Sequence, residues 1–222
     1  MRSKKSYCIQ WWMDQLGIFD ERYDEVDDLV RARNLPSPQL IGSKSQRSLD
    51  LNGLVNQGIE LRGRLAGFND GKAQFSGSLA NVCQLADLKM NRLLTRIDEY
   101  VQEQGLTTLV DAPQRFPATR VEANAALLMD LEKSGIRTIL WATGYRADHS
   151  WLKLPVFDRK GRIRHQGGVV DHPGIYLMGA PMLRRRKSSF IHGAEDDARD
   201  ICRHITTFLA ADTVSSSADI AA

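Results

Sequence analysis

Apolar and polar positions along this chain follow two rhythms, one of three to four residues and one of two. Ile9, Trp12, Met13, Leu16 and Phe19 recur at the spacing of one helix face, and Gly17 offers a break. Asp24 is read as the cap of a second helical stretch that stops near Asn34, because Pro36 and Pro38 cannot continue it. Leu40-Ile41 reads as a short buried strand entering a loop at Gly42-Ser43, and Leu49–Val55 as a short helix stopped at Gln57-Gly58. Ile59, Leu61, Gly63 and Leu65 then alternate with Glu60, Arg62 and Arg64, the period of a strand. Asn69-Asp70-Gly71 tolerates positive φ and is followed by Lys72–Phe75, which predicts a hairpin.

The longest helical pattern runs from Leu79 to about Gln104, with Val82, Leu85, Leu88, Leu93, Leu94, Ile97 and Val101 on one broad stripe and Gly105 as its stop. Val121–Ser134 is expected to form a second helix ended by Gly135, and Thr138–Ala142 a buried strand. Pro155–Phe157 and Ile163–His165 flank a turn at Asp158–Gly161, and Ile175–Met178 reads as a strand. A final helix is expected from about Ile191 to Leu209, with a disordered Ser/Ala-rich tail over 212–222. Helices interleaved with short strands in this order imply an α/β chain with separate sheets.

Composition narrows this picture without redirecting it. The 222 residues allow one large domain or two small ones, and 42% apolar with 26% charged residues is ordinary for a globular protein. A net charge of +3 is too small to argue for nucleic acid as a partner. No window approaches eighteen consecutive apolar residues, so no membrane span is expected. Cys8, Cys83 and Cys202 form no CxxC, which points to reduced cysteines and a cytoplasmic setting. The histidines show no HExxH or similar metal spacing.

The chemistry-bearing stretches lie in the second half. Ala142, Thr143 and Gly144 close the expected strand with small residues that let a backbone approach a ligand, and Gly179-Ala180-Pro181 closes the next. The basic run Arg184-Arg185-Arg186-Lys187 leads through Ser188, Ser189, Phe190, Ile191 and His192 to Gly193 at a helix start, where free N–H groups favour an electron-rich ring or a phosphate. The basic run reads as a surface or cofactor-site loop, and His192 as a cap or surface group or a bond to substrate. Glu195, Asp196, Asp197 and Asp200 read as acids favoured by the helix dipole.

Gly135–Arg146 together with Gly174–Gly193 resembles the C-terminal part of the FAD domain in flavin-dependent monooxygenases and related two-dinucleotide flavoproteins. The earlier stretches Trp11–Gly17, Gln39–Gly42, Leu49–Leu51, Gly58–Leu61 and Gly63–Leu65 look like the later part of the NAD(P)H domain of the same proteins. The resemblance implies a partial Rossmann-like fold. Residues 1–105 would be NAD(P)H-domain-like, 106–120 a linker and 121–211 FAD-domain-like. It implies FAD and NADPH as cofactors and a small-molecule substrate. Ala142, Thr143, Gly144, Gly179, Ala180, Ser189, Phe190, Ile191 and Gly193 would lie near the cofactor. Arg2, Lys4 and Lys5 sit near the family's position for the NADP 2′-phosphate, or form a solvated terminus. Where many relatives carry Gly-Asp, this chain has Gly179-Ala180, so a carboxylate contact to the ribityl chain is missing.

No GxGxxG turn occurs, although the family needs two to seat pyrophosphates on helix starts. Three readings stay open: the C-terminal half of an oxidoreductase completed by a separately encoded N-terminal half, a truncated product without catalysis, or a binding module on the same scaffold.

Overall fold

The computed structural model describes residues 8–33, 49–113, 115–122, 125–145 and 147–219. The expected strand at Leu40-Ile41 and the basic residues Arg2, Lys4 and Lys5 lie outside them. In chain order the regular elements are α1 (Ile9–Gln15), α2 (Leu29–Arg33), α3 (Leu51–Asn56), β1 (Leu65–Asn69), β2 (Lys72–Phe75), α4 (Leu79–Glu103), β3 (Leu128–Asp130), β4 (His165–Gln166), β5 (Val169–Val170) and α5 (Ala194–Asp219). The architecture is therefore mixed helix with small sheets, and every ladder among the described residues is antiparallel. Among the described residues no helix is long and apolar enough to cross a membrane.

The chain divides into two compact units. Unit one comprises Met1–Tyr7 and Pro38–Gly144, and unit two comprises Cys8–Ser37 and Tyr145–Ala222. Unit two is thus interrupted in sequence by the main body of unit one.

In unit one the hairpin forms where the sequence asks for it. Asp70 (φ 47°) and Gly71 (φ 72°) both take left-handed backbone, the pairing that matches the twist of two antiparallel strands. Asn69 pairs with Lys72 across this turn, and a register irregularity lies between Leu65 and Gly67. β3 adds to the far side of β2, with Ala73 opposite Met129. α3 is capped by Asp50, whose Oδ1 accepts from the Gly53 amide at 2.6 Å. α4 runs very nearly over its expected span and buries Cys83, Ile97 and Val101. The stretch expected as a linker is tied to the helices on both sides. Asp87 of α4 accepts from the Thr119 amide at 2.8 Å and its hydroxyl at 2.9 Å. Asn52 of α3 accepts from the Arg120 amide at 2.8 Å and donates to the Ala118 carbonyl at 3.1 Å.

Three expected elements in unit one need correction. Among the described residues of 121–134 no helix forms, because Leu128–Asp130 joins β2 as a third strand and 131–135 turns away from it. Pairing with an open strand edge outweighs the helical preference of an Ala/Leu-rich run. The strand expected at Thr138–Ala142 has no ladder, and residues 132–145 are all exposed. An extended segment becomes a strand only when a neighbour completes its hydrogen bonds, and no described strand does so here. Residues 59–64, read as strand, have no regular structure, and pairing begins at Leu65.

Unit two buries Trp12, Met13, Phe19, Val156, Val170, Met182, Leu183 and Ile201. The apolar face read from α1 is the buried one. α2 begins four residues later than expected, because Asp28, not Asp24, caps it by accepting from the Arg31 amide at 2.9 Å. Asp24 instead holds Arg22 at 3.0 Å. The turn at Asp158–Gly161 closes with Phe157 bridged to Ile163, and β4 pairs with β5 beyond it. The strand expected at Ile175–Met178 is reduced to one bridge, Val169 to Tyr176. α5 starts at Ala194 after two short 3₁₀ turns, and its backbone runs past Leu209 to Asp219, over most of the stretch expected as a tail.

Candidate functional site

The loop from Arg184 to Gly193 is the best-defined feature of unit two, and its geometry follows from its charges. Ser188 is buried, and its Oγ accepts from the amides of Arg184 at 3.1 Å and Arg185 at 2.9 Å, which folds the basic run back on itself. Arg185 reaches Asp197 at 2.8 Å and Asp200 at 2.9 Å, while Arg184 Nε lies 3.3 Å from Asp200 and its Nη1 donates to the Gly167 carbonyl at 2.6 Å. Lys187 sits between Asp196 at 2.8 Å and Asp20 at 2.6 Å. Arg186 pairs with Glu21. All four cations of the run are therefore neutralised within unit two.

These pairs set the local titration. Hydrogen bonds donated to Asp196 and then Asp20 hold the Lys187 ammonium above its usual pKa, and Lys187 holds Asp196 below the usual carboxylate range. Burial works against the charge of Arg185, but hydrogen bonds to Asp200 and Asp197 outweigh it and raise the pKa. Burial likewise opposes the Asp200 carboxylate, and Arg185 more than offsets it. The acids read from sequence as helix-dipole residues are thus partners of the basic run. Asp197 is fully buried, with Oδ1 on Arg185 and Oδ2 without a hydrogen-bond partner.

The same loop is laced to the N-terminal segment. The Arg186 amide donates to the Glu21 carbonyl at 2.9 Å and the Tyr23 amide to the Arg184 carbonyl at 3.0 Å, around a bridge between Arg22 and Arg185. Phe19 packs edge-on to Phe190 with ring centres 5.3 Å apart and reaches His192 at 6.0 Å. Between α1 and the loop lies an open cavity of about 660 Å³, lined by Ser189, Phe190 and Ile191 together with Trp11, Asp14 and Phe19. That volume suits a small organic ligand, and the walls carry the rings of Trp11, Phe19 and Phe190 beside the Asp14 carboxylate and Gln10. His192 also lines it.

The site residues expected from sequence fall into three groups. Ser189, Phe190 and Ile191 share the cavity. Gly179 (φ 76°) and Ala180 sit in the turn before Leu183, whose amide donates to the Ala180 carbonyl at 3.2 Å. Ala142, Thr143 and Gly144 end unit one on exposed backbone. Gly193 has a packing role. A Cβ there would collide with the Lys187 carbonyl, so the glycine admits the close approach of the protein's own loop. Trp11 and Asp14 were not foreseen as site residues. Their signal was present in sequence, since both fall off the apolar stripe of α1 yet stand one turn apart on it.

The chain shares a stretch of sequence with curated proteins named as oxidoreductases. One is the "Uncharacterized oxidoreductase CzcO-like" of Geobacillus kaustophilus, 39% identical over 74 residues, covering 31% of this chain and 21% of that protein. Two more are each named "Uncharacterized oxidoreductase CzcO". That of Bacillus velezensis is 34% identical and that of Bacillus subtilis 32%, both over 83 residues, 37% of this chain and 24% of each protein. The chain matches about a fifth to a quarter of the length of these relatives. No family model matches, and no solved structure does.

Proposed function

We propose that this chain is part of an oxidoreductase of the flavin-dependent monooxygenase type, supplying one wall of an FAD and NADPH site whose dinucleotide-binding turns come from another polypeptide. The observation that carries the reading is the similarity to proteins named oxidoreductases over about a third of the chain. The remainder of a Rossmann-like fold would belong to that companion. In support, unit one leaves Leu85, Leu88, Leu140 and Trp141 exposed, as expected of a piece that is covered when the whole assembles.

The residues present fit a flavin in part. Ser189, Phe190 and Ile191 border a cavity with aromatic walls, and Gly179 has open space where a Cβ would stand. At Gly193 the Lys187 carbonyl stands where a Cβ would be. When bound, a flavin would accept a hydride from NADPH and pass the electrons onward. Ser189, Phe190 and Ile191 would hold that group, with Trp11 of α1 on the same cavity to keep water from it.

The test is co-expression with a polypeptide carrying both GxGxxG turns, followed by a visible absorbance spectrum and an NADPH consumption assay. Bound flavin and NADPH turnover are expected only when the two are together. A companion that assembles with this chain without retaining flavin would overturn the reading. The closed packing of unit two favours a second reading, a binding module without catalysis. Flavin-free protein that copurifies with a small molecule in the aromatic cavity would support it.

A further inference from the structure

The cavity beside α1 combines ring faces with a carboxylate, and the combination narrows what it can hold. Phe19 and Phe190 meet at 89° with centres 5.3 Å apart, and His192 stands at 60° to Phe19 with centres 6.0 Å apart. Trp11 lies on the same cavity, its ring at 80° to that of buried Trp12 and 4.7 Å from it. A flat guest needs parallel walls to stack between. Rings set at steep angles instead turn their faces toward one space from different sides, and the negative face of each attracts a cation.

Asp14 supplies the charge. It borders the cavity on an exposed part of α1, and among the described residues no cation pairs with it. The cations of the neighbouring loop are committed elsewhere, Lys187 to Asp20 at 2.6 Å and Asp196 at 2.8 Å, and Arg186 to Glu21. A carboxylate left without a counter-ion beside aromatic faces repels an anionic guest and attracts a cationic one. Because Asp14 is exposed, water and salt screen part of that attraction, and the rings supply the rest. Gln10 and Ser189 add an amide oxygen and a hydroxyl that can accept from a hydroxyl on the guest.

We propose that Trp11, Phe19, Phe190 and Asp14 form a binding site for a quaternary ammonium head group. Such a nitrogen donates no hydrogen bond and spreads its charge over alkyl groups that pack against ring faces, whereas a primary ammonium wants an acceptor for each N–H. Having no lone pair, it is bound and not oxygenated. The assignment rests on the reading of this cavity as a ligand site and needs no bound flavin.

The experiment is calorimetric titration of the full chain with choline chloride at about pH 8, where an ordinary imidazole is neutral, with sodium chloride holding the ionic strength constant. A saturable heat is expected. Neohexyl alcohol, the neutral isostere of choline with carbon in place of nitrogen, should bind about tenfold more weakly, and ethanolamine about fivefold more weakly. Asp14→Asn and Trp11→Leu should each weaken choline binding by about fivefold. Asp14 is exposed, so its variant should melt as the parent does, which separates lost binding from lost folding. Asp27→Asn removes an exposed acid of the same unit that does not line the cavity, and should leave binding unchanged. A heat that never saturates, a neutral alcohol that binds as tightly as choline, or an Asp14→Asn variant without effect would overturn the site. Flavin retained on co-expression by a chain that ignores choline would sink this assignment and leave the flavin reading standing. Choline binding by a chain that retains no flavin would do the reverse.

Discussion

Unit two closes a core of large side chains around Leu183 and Val156 and ties its loop down with ion pairs. Unit one has well-formed elements but, among the described residues, buries only Ala73, Cys83, Ile97 and Val101, while Phe68, Leu85, Leu88, Leu128, Leu140 and Trp141 stay exposed. The difference separates two requirements that folding usually meets together. A hairpin turn and a long helix can be specified by local chemistry. Covering their apolar faces needs further layers, and unit one has few.

The largest expected effect comes from the core of unit two. Leu183 is 0% exposed, so Leu183→Ala should cost about 2–5 kcal/mol. Urea unfolding read by tryptophan fluorescence checks this, with Trp11, Trp12 and Trp151 in unit two and Trp141 in unit one. If Trp141 alone responded, the contrast between the units would be wrong. Next is Asp197→Ala, which strips a buried partner from Arg185 and should cost about 3 kcal/mol. A loss under about half a kcal/mol would mean that Asp200 carries the arginine by itself.

Gly193→Ala should cost about 1–3 kcal/mol, because the added methyl meets backbone that cannot swing aside. Unchanged stability would show that the loop does not close on Gly193 as described. The acid limb follows from the depressed pKa values of Asp196 and Asp200. Their contribution is complete above the unfolded carboxylate pKa of about 4 and is lost as pH falls through the folded values. Lys187 is raised, so its share is complete below the ordinary lysine pKa of about 10.4 and disappears as pH rises through the higher folded one. Lys187→Met should therefore flatten the melting temperature against pH at both ends, and an unaltered acid slope would remove Lys187 from the account.

The smallest effect is expected on unit one. Leu140 is 88% exposed, and Leu140→Ser should change stability by less than about half a kcal/mol. It should also lower the binding of a hydrophobic dye. A large destabilisation would mean that the segment is packed after all.

What was legible in sequence was whatever rests on a few neighbouring residues. Asn69-Asp70-Gly71 specified its turn, and Gly105 marked the end of α4. The stripe Trp12, Met13, Phe19 marked the buried face of the N-terminal segment. What was not legible depends on distant partners. Nothing near Leu128 says that β2 has a free edge, and Thr138–Ala142 has the composition of a buried strand without a described neighbour to pair with. The role of the Arg184–Lys187 run could not be read because its counter-charges are split between Asp20 and Glu21 on one side and Asp196, Asp197 and Asp200 on the other. Nothing near Gly193 in sequence says that the Lys187 carbonyl stands where its Cβ would be.

The interrupted course of unit two also has a consequence in time. Glu21 and Arg186 are 165 residues apart, so at ribosomal rates of about 5–20 residues per second the second partner emerges roughly 8–33 s after the first. For that interval Trp12, Met13 and Phe19 have been synthesised without the loop and core that cover them. The nascent chain must therefore carry an uncovered apolar helix for that interval, a natural substrate for a chaperone that holds unfolded segments.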